Sequence, residues 1–133
     1  GVRAAEPLWR PLPGDFYPEL LIGKEAGYVY PIPFRRRLIA EAGERNIDAR
    51  LLLSIMRQES RFRPDVKSSA AARGLMQFIP STSRDIAREL ALTNFADERL
   101  FDAGTAILFG SQYVSSLFRQ FPNQPEAVAA SYN

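Results

Sequence analysis

Glu59 closes the run "LLLSIMRQES", residues 51–60, at a point where the helical pattern asks for another leucine. At about 100° of rotation per residue, Leu52, Ile55 and Met56 form one apolar stripe, and Leu51 and Leu53 widen it. Glu59 follows Leu52 by seven residues and so points within about 20° of it. A carboxylate on a core-facing stripe is costly unless it is paired or protonated. Desolvation disfavours the charged form, so such a group keeps its proton toward neutral pH and can deliver it to a leaving oxygen. That is general acid chemistry, of the kind that opens a glycosidic bond. A glutamate at a helix end, taken alone, more often turns to solvent, and so its neighbours must decide.

The composition removes the competing chemistries. The chain has no cysteine and no histidine. This excludes thiol nucleophiles, Cys/His zinc sites and a Ser-His-Asp triad. Acid–base work near neutral pH falls to a carboxylate, a lysine or a tyrosine. Most glycosidases place two carboxylates at set separations, yet around Glu59 the only other acid is Asp65, beyond the helix stop at Pro64. A net charge of +2 and an isoelectric point near 9.2 suit an anionic polymer without forming a nucleic-acid patch. Arg35, Arg36 and Arg37 read as a solvated helix face rather than a phosphate site.

A chain of 133 residues, 46% of them hydrophobic, suits one domain with its own core. No run of about 18 apolar residues is present to span a membrane. The opening "GVRAAEPLWRPLPG" lacks a secretory n-region and h-region, as a mature exported protein or a trimmed chain would. Prolines at 7, 11, 13, 18, 31 and 33 make residues 1–33 an extended arm or linker. Helical periods begin at Phe34, and residues 34–133 are expected to form the domain. A first helix runs from Phe34 to near Gly43, and a second from an Asp48 cap to about Ser60, stopped by Pro64. Residues 66–80, rich in small side chains and closed by Pro80, read as a loop with broken turns. Ser81 or Thr82 is expected to cap a third helix, a fourth runs from about Asp102 to Gln120, and Pro125 opens a fifth. No strand is expected, and the fold class is all-α.

The residues around Glu59 carry a resemblance. Glu59-Ser60, Phe62, Pro64, Ser68, Gly74-Leu75-Met76-Gln77, Pro80 and Thr82 match, in order and spacing, the signature of the soluble lytic transglycosylases. "LFDAGTAILFGSQYVSSL" is similar to the family's later helix, "AASYN" to its Ala-Tyr-Asn, and "YPIPF" to its entry segment. The resemblance covers about residues 28–133. Departures are Ile79 for the usual Met, Ala106 for Asn, and Ala71 where Gly is usual.

The resemblance implies a lysozyme-like, goose-type fold acting on bacterial peptidoglycan. It implies that Glu59 acts alone, first as acid and then as base. The second nucleophile would be the 6-hydroxyl of N-acetylmuramic acid, giving a 1,6-anhydro product. Taken alone, Ser68 reads as a loop residue bonding its own backbone, Gln77 as a loop-bonding amide, and Met76 as core more than contact. By the same resemblance Ser68, Met76, Gln77, Ile79 and Tyr132 bind substrate, Ser68 alternatively steadying Glu59, with the Tyr132 hydroxyl beside Glu59; Tyr113 is assigned to the core. No metal or cofactor is implied. The partner is the peptidoglycan glycan strand, the protein is expected to be a monomer without nucleic-acid partners, and its place is the periplasm or cell envelope. The family continues past Ala-Tyr-Asn, so the domain is expected to be truncated at its C-terminus, with the turn around Tyr132 loosely held. A goose-type lysozyme-like hydrolase and a non-catalytic wall-binding domain in an envelope assembly stand as alternatives.

Overall fold

The computed structural model describes residues 32–132; of the arm expected over residues 1–33, residues 1–31 lie outside the described residues, as does Asn133, while residues 32–33 belong to the first helix, whose first turn tolerates proline. Five α-helices follow in order: α1 Ile32–Glu44, α2 Ala49–Ser60, α3 Pro80–Glu89, α4 Ala103–Gln120 and α5 Pro125–Tyr132. A 3₁₀ segment, Asp97–Phe101, precedes α4. Among the described residues there is no strand, only isolated bridges pairing Arg73 with Lys67 and with Phe78. No helix among them is long and apolar enough to cross a membrane.

α4 is the hub. It is buried on several faces, through Ala106, Ile107, Phe109, Gly110, Val114 and Leu117, and a helix buried nearly all round must sit inside the domain. α1, α2, α3, α5 and the 3₁₀ segment all pack on it. Asp102 caps its start by accepting from the Thr105 N–H at 2.9 Å. On α1, Glu41 takes Arg37 at 2.7 Å and Arg45 at 2.8 Å, and Arg45 also reaches Gln112 of α4 at 3.1 Å. Arg37 is therefore tied into α1 rather than freely solvated, whereas Arg36 is exposed.

α2 follows the expected stripe. Asp48 caps it, accepting from the Arg50 N–H at 2.9 Å, and Leu52, Leu53, Ile55 and Met56 are buried. Its end is abrupt: Arg61 and Phe62 both adopt left-handed backbone, with φ of 54° and 65°. Two successive non-glycine residues in this region swing the chain off the helix axis at Glu59, at a cost of about 1–3 kcal/mol each. At α3 the expected cap is corrected. Ile79 is the N-cap residue, without a side-chain bond, and Pro80 opens the helix. Proline's missing N–H costs nothing at the first helical position, and its fixed φ suits it, so the helix starts before Ser81.

The turn around Tyr132 is held more firmly than expected. α5 continues through Tyr132, with Val128 and Ala129 essentially inaccessible and the Tyr132 hydroxyl donating to the Met76 carbonyl at 3.0 Å. Core burial and this bond hold the last turn, which side-chain packing can do even where the final carbonyls lack helical partners.

Residues 66–78 make up most of the loop between α2 and α3, and their backbone is left-handed at three positions, Ala71, Gly74 and Gln77, of which the first two make a telling pair. Gly74 has φ 83°, and a β-carbon there would collide with the Leu100 carbonyl of the 3₁₀ segment. Ala71, where the family usually has glycine, holds φ 67°. The two positions should respond oppositely. Gly74→Ala is expected to lower stability by about 2–4 kcal/mol, through strain plus collision. Ala71→Gly, which relieves strain, should change it by less than about 1 kcal/mol, in the stabilising direction. Urea unfolding of both variants checks the pair.

Candidate active site

A groove of about 260 Å³ opens where α2, α3, α4 and α5 converge. It is lined by Glu59 from α2, Gln77, Phe78 and Ile79 from the end of the loop, Thr82 from α3, Tyr113 from α4, and Ser131 and Tyr132 from α5. Glu59 is the one carboxylate among them. Its placement follows from the stripe: the helix face that buries Leu52, Ile55 and Met56 carries the final side chain to the edge of the core, where the groove begins.

Electrostatics at Glu59 are simple. Burial alone pushes its carboxyl up to about 7, from an ordinary value of 4.5. Other carboxylates in the domain are drawn the other way by donors: Asp48 is lowered by the Arg50 side chain and Asp102 by the Thr105 backbone and hydroxyl. A carboxyl with a pKa near 7 exchanges its proton readily at neutral pH, which is what a group serving as acid and then as base requires.

Three rings back the groove. Phe78 meets Tyr113 at 5.7 Å and Tyr132 at 5.8 Å between centroids, and Tyr113 meets Tyr132 edge-on at 5.2 Å. These separations suit edge-to-face attraction, and the cluster joins the loop, α4 and α5. Burial first, then the charges of Glu59 and Tyr113, push the Tyr132 phenol well above its ordinary value, so it remains a donor. Its proton goes to the Met76 carbonyl.

The residues expected to bind substrate divide into two groups. Glu59, Gln77, Ile79 and Tyr132 line the groove together. Gln77, held at φ 54°, donates both amide hydrogens inward, to the carbonyls of Val66 at 3.0 Å and Gly74 at 2.9 Å. Its oxygen alone is left to accept from a ligand. Ile79 is 40% exposed at the lip. Ser68 and Met76 are not among the lining residues. The Ser68 oxygen accepts from the Ala70 and Ala72 N–H groups, each at 3.1 Å, and so shapes its own loop. Met76 is 1% exposed, with its side chain packed against Gly110 of α4. Its contribution to the groove is the carbonyl that receives Tyr132.

Phe78, Thr82, Tyr113 and Ser131 also line the groove, beyond the site residues the sequence suggests. Tyr113 sits on the apolar face of α4, and periodicity gives a side chain's face but not its depth. The usable signal was chemical: a phenol on an apolar stripe, like a carboxylate on one, calls for a polar outlet.

Comparison with known proteins converges on one family. The family profile described as Transglycosylase SLT domain matches residues 37–133. A Haemophilus influenzae protein that carries the soluble lytic murein transglycosylase name is 39% identical over 88 residues, covering 66% of this chain and 15% of that protein. The soluble lytic murein transglycosylase of Escherichia coli K12 is 29% identical over 105 residues, covering 78% and 16%. This chain thus spans about one sixth of the length of these curated relatives. Among solved structures, an inactive glutamate-to-glutamine mutant of lytic transglycosylase Slt from Pseudomonas aeruginosa superposes with a TM-score of 0.74 at 25% identity, over 99% of this chain and 22% of that one. The fold is therefore that of the lytic transglycosylases, and by the profile match over residues 37–133 the chain belongs to the Transglycosylase SLT domain family.

Proposed function

We propose that this domain is a lytic transglycosylase that cleaves the β-1,4 bond between N-acetylmuramic acid and N-acetylglucosamine in peptidoglycan. The observation that carries the reading is Glu59: the groove's one carboxylate, desolvated by the core and poised near pH 7. Family membership and the names of the relatives support the substrate class. The working place is the cell envelope, where that polymer lies.

In the proposed sequence, neutral Glu59 gives its proton to the glycosidic oxygen as the C1–O bond breaks, and the leaving sugar departs as an alcohol. The resulting carboxylate then takes the proton of the muramic acid 6-hydroxyl as that oxygen bonds to C1. Glu59 ends protonated, and the product carries a 1,6-anhydro ring with no water consumed. One carboxyl thus serves both steps, matching a groove that supplies one. The Gln77 oxygen would accept from a sugar hydroxyl or amide, the exposed side of Ile79 would lie along a ring, and Tyr132 would hold the wall that faces Glu59. A hydrolase would put water in place of the 6-hydroxyl, and products heavier by one water in mass spectra of digested sacculi would overturn the transglycosylase reading.

Glu59→Gln keeps the shape and removes the proton. Release of soluble muropeptides from purified sacculi should fall by at least about 10²–10⁴-fold, the usual worth of general acid catalysis, while the fold is retained. Retention of more than a few per cent of activity would remove Glu59 from the reaction. The pH dependence follows from the same residue. The folded protein holds this proton up to about 7 against 4.5 for an ordinary glutamate, so kcat/KM should fall as pH rises through about 7. Its contribution to stability has the same sign: complete below 4.5, and lost as pH rises through 7. Glu59→Gln should therefore raise Tm relative to the native chain at pH 8 but not at pH 4. Tyr132→Phe should cost about 1 kcal/mol for the lost hydrogen bond, and lower turnover without unfolding the domain, as circular dichroism and sacculus assays would show.

A further inference from the structure

Arg73, Ser83 and Asp97, none of which lines the groove, form a polar cluster between the loop, α3 and the 3₁₀ segment. Arg73 pairs both of its backbone groups with Phe78: its N–H donates to the Phe78 carbonyl at 3.1 Å, and its carbonyl accepts from the Phe78 N–H at 3.3 Å. This closes the turn Gly74–Gln77, which presents Gln77 to the groove. The Arg73 guanidinium donates to the Ala71 carbonyl at 3.1 Å and stands 3.9 Å from one Asp97 oxygen. The other Asp97 oxygen accepts from the Ser83 hydroxyl at 2.9 Å. Ser83 is fully buried in the first turn of α3, the turn that presents Ile79 and Thr82.

Asp97 therefore bonds α3 through one oxygen and faces the loop's Arg73 through the other, at ion-pair rather than hydrogen-bond distance, while its own backbone opens the 3₁₀ segment on which Gly74 rests. The pair is shielded, with Arg73 and Asp97 side chains 12% and 23% exposed, against 75% and 67% for the surface pair Arg88–Asp85. Shielding strengthens the attraction between opposite charges and makes loss of one partner costly. Surface pairs such as Arg88–Asp85 contribute little by comparison.

We propose that Asp97 is a positioning residue for glycan cleavage, fixing the Gly74–Gln77 turn against the first turn of α3 and so setting the spacing between Gln77 and Thr82 across the groove wall. It meets no substrate and acts only through Arg73 and Ser83. The proposal rests on the transglycosylase reading for its kinetic part, and on geometry alone for its structural part. Two variants separate its links. Asp97→Asn keeps an acceptor for Ser83 but removes the charge facing Arg73. Ser83→Ala keeps the charge but removes the hydroxyl.

The test measures kcat, KM, Tm and amide hydrogen exchange on the whole chain, with purified sacculi as substrate. Asp97→Asn is expected to raise KM about three- to tenfold, the scale of a misplaced binding group. The pH at which activity falls should not move, because the surroundings of Glu59 are untouched. Exchange at the Gly74, Gln77 and Phe78 amides should quicken several-fold, and Asp97→Glu should restore part of the lost KM. If Asp97→Asn lowers Tm but leaves KM and these amides as in the native chain, Asp97 is a stabilising contact only and the proposal is wrong. Should the native chain release nothing from sacculi, the transglycosylase reading fails, and the exchange data still decide whether Asp97 fixes the turn.

Discussion

Taking one carboxyl out of water without giving it a countercharge is the constraint on which the site depends. Such a group costs free energy whenever it ionises, so the rest of the domain must tolerate a standing penalty at Glu59. α2 supplies the apolar face that removes the water. The two left-handed residues after Ser60 then turn the chain away, so that no further helical turn covers the carboxyl. Elsewhere the domain treats its acids in the opposite way, giving Asp48 and Asp102 helix-cap donors and Glu41 two arginines. The contrast makes Glu59 the candidate for a site where stability is given up for reactivity.

The opposite wall is built from backbone rather than from a core of its own. Between Val66 and Phe78 the chain bonds to itself, through Ser68 to Ala70 and Ala72, Gly74 to Val66, Arg73 to Phe78, and the Gln77 amide to two carbonyls. A loop this heavily bonded satisfies its own polar groups without water, so it can lie against the domain beside a desolvated carboxyl. It leaves few donors facing outward, which explains why Gln77 offers the groove only its oxygen.

Much of this was legible in the sequence, where local rules apply. Asp48 and Asp102 announced their helices, Pro64 and Pro125 their ends and starts, and the spacing from Leu52 to Glu59 placed the acid. The α3 cap was misread because hydroxyl residues at 81 and 82 outweighed the proline just before them. Tyr113 packs against the core, as its helical face suggests, and also reaches the groove, because a face does not reveal depth. The inner bonds of Ser68 and Gln77 are what the residue types alone suggest, a loop serine bonding its own backbone and a loop-bonding amide; only their partners, set by left-handed backbone at Ala71 and Gln77, are not announced by residue type. Nor did the pattern foretell the 3₁₀ segment, whose Leu100 is buried and whose carbonyl holds Gly74 in place.

The bond between Tyr132 and the Met76 carbonyl joins residues 56 positions apart. Contacts of such long sequence separation are entropically costly to close and belong to the slower, later part of chain organisation. Glu59 and the loop can acquire their local structure early, but the groove has no back wall until α5 docks. The groove is then a property of the completed domain and of no folding intermediate. A chain emerging from synthesis carries Glu59 without the cleft around it, so a ligand of the groove meets either the complete site or none.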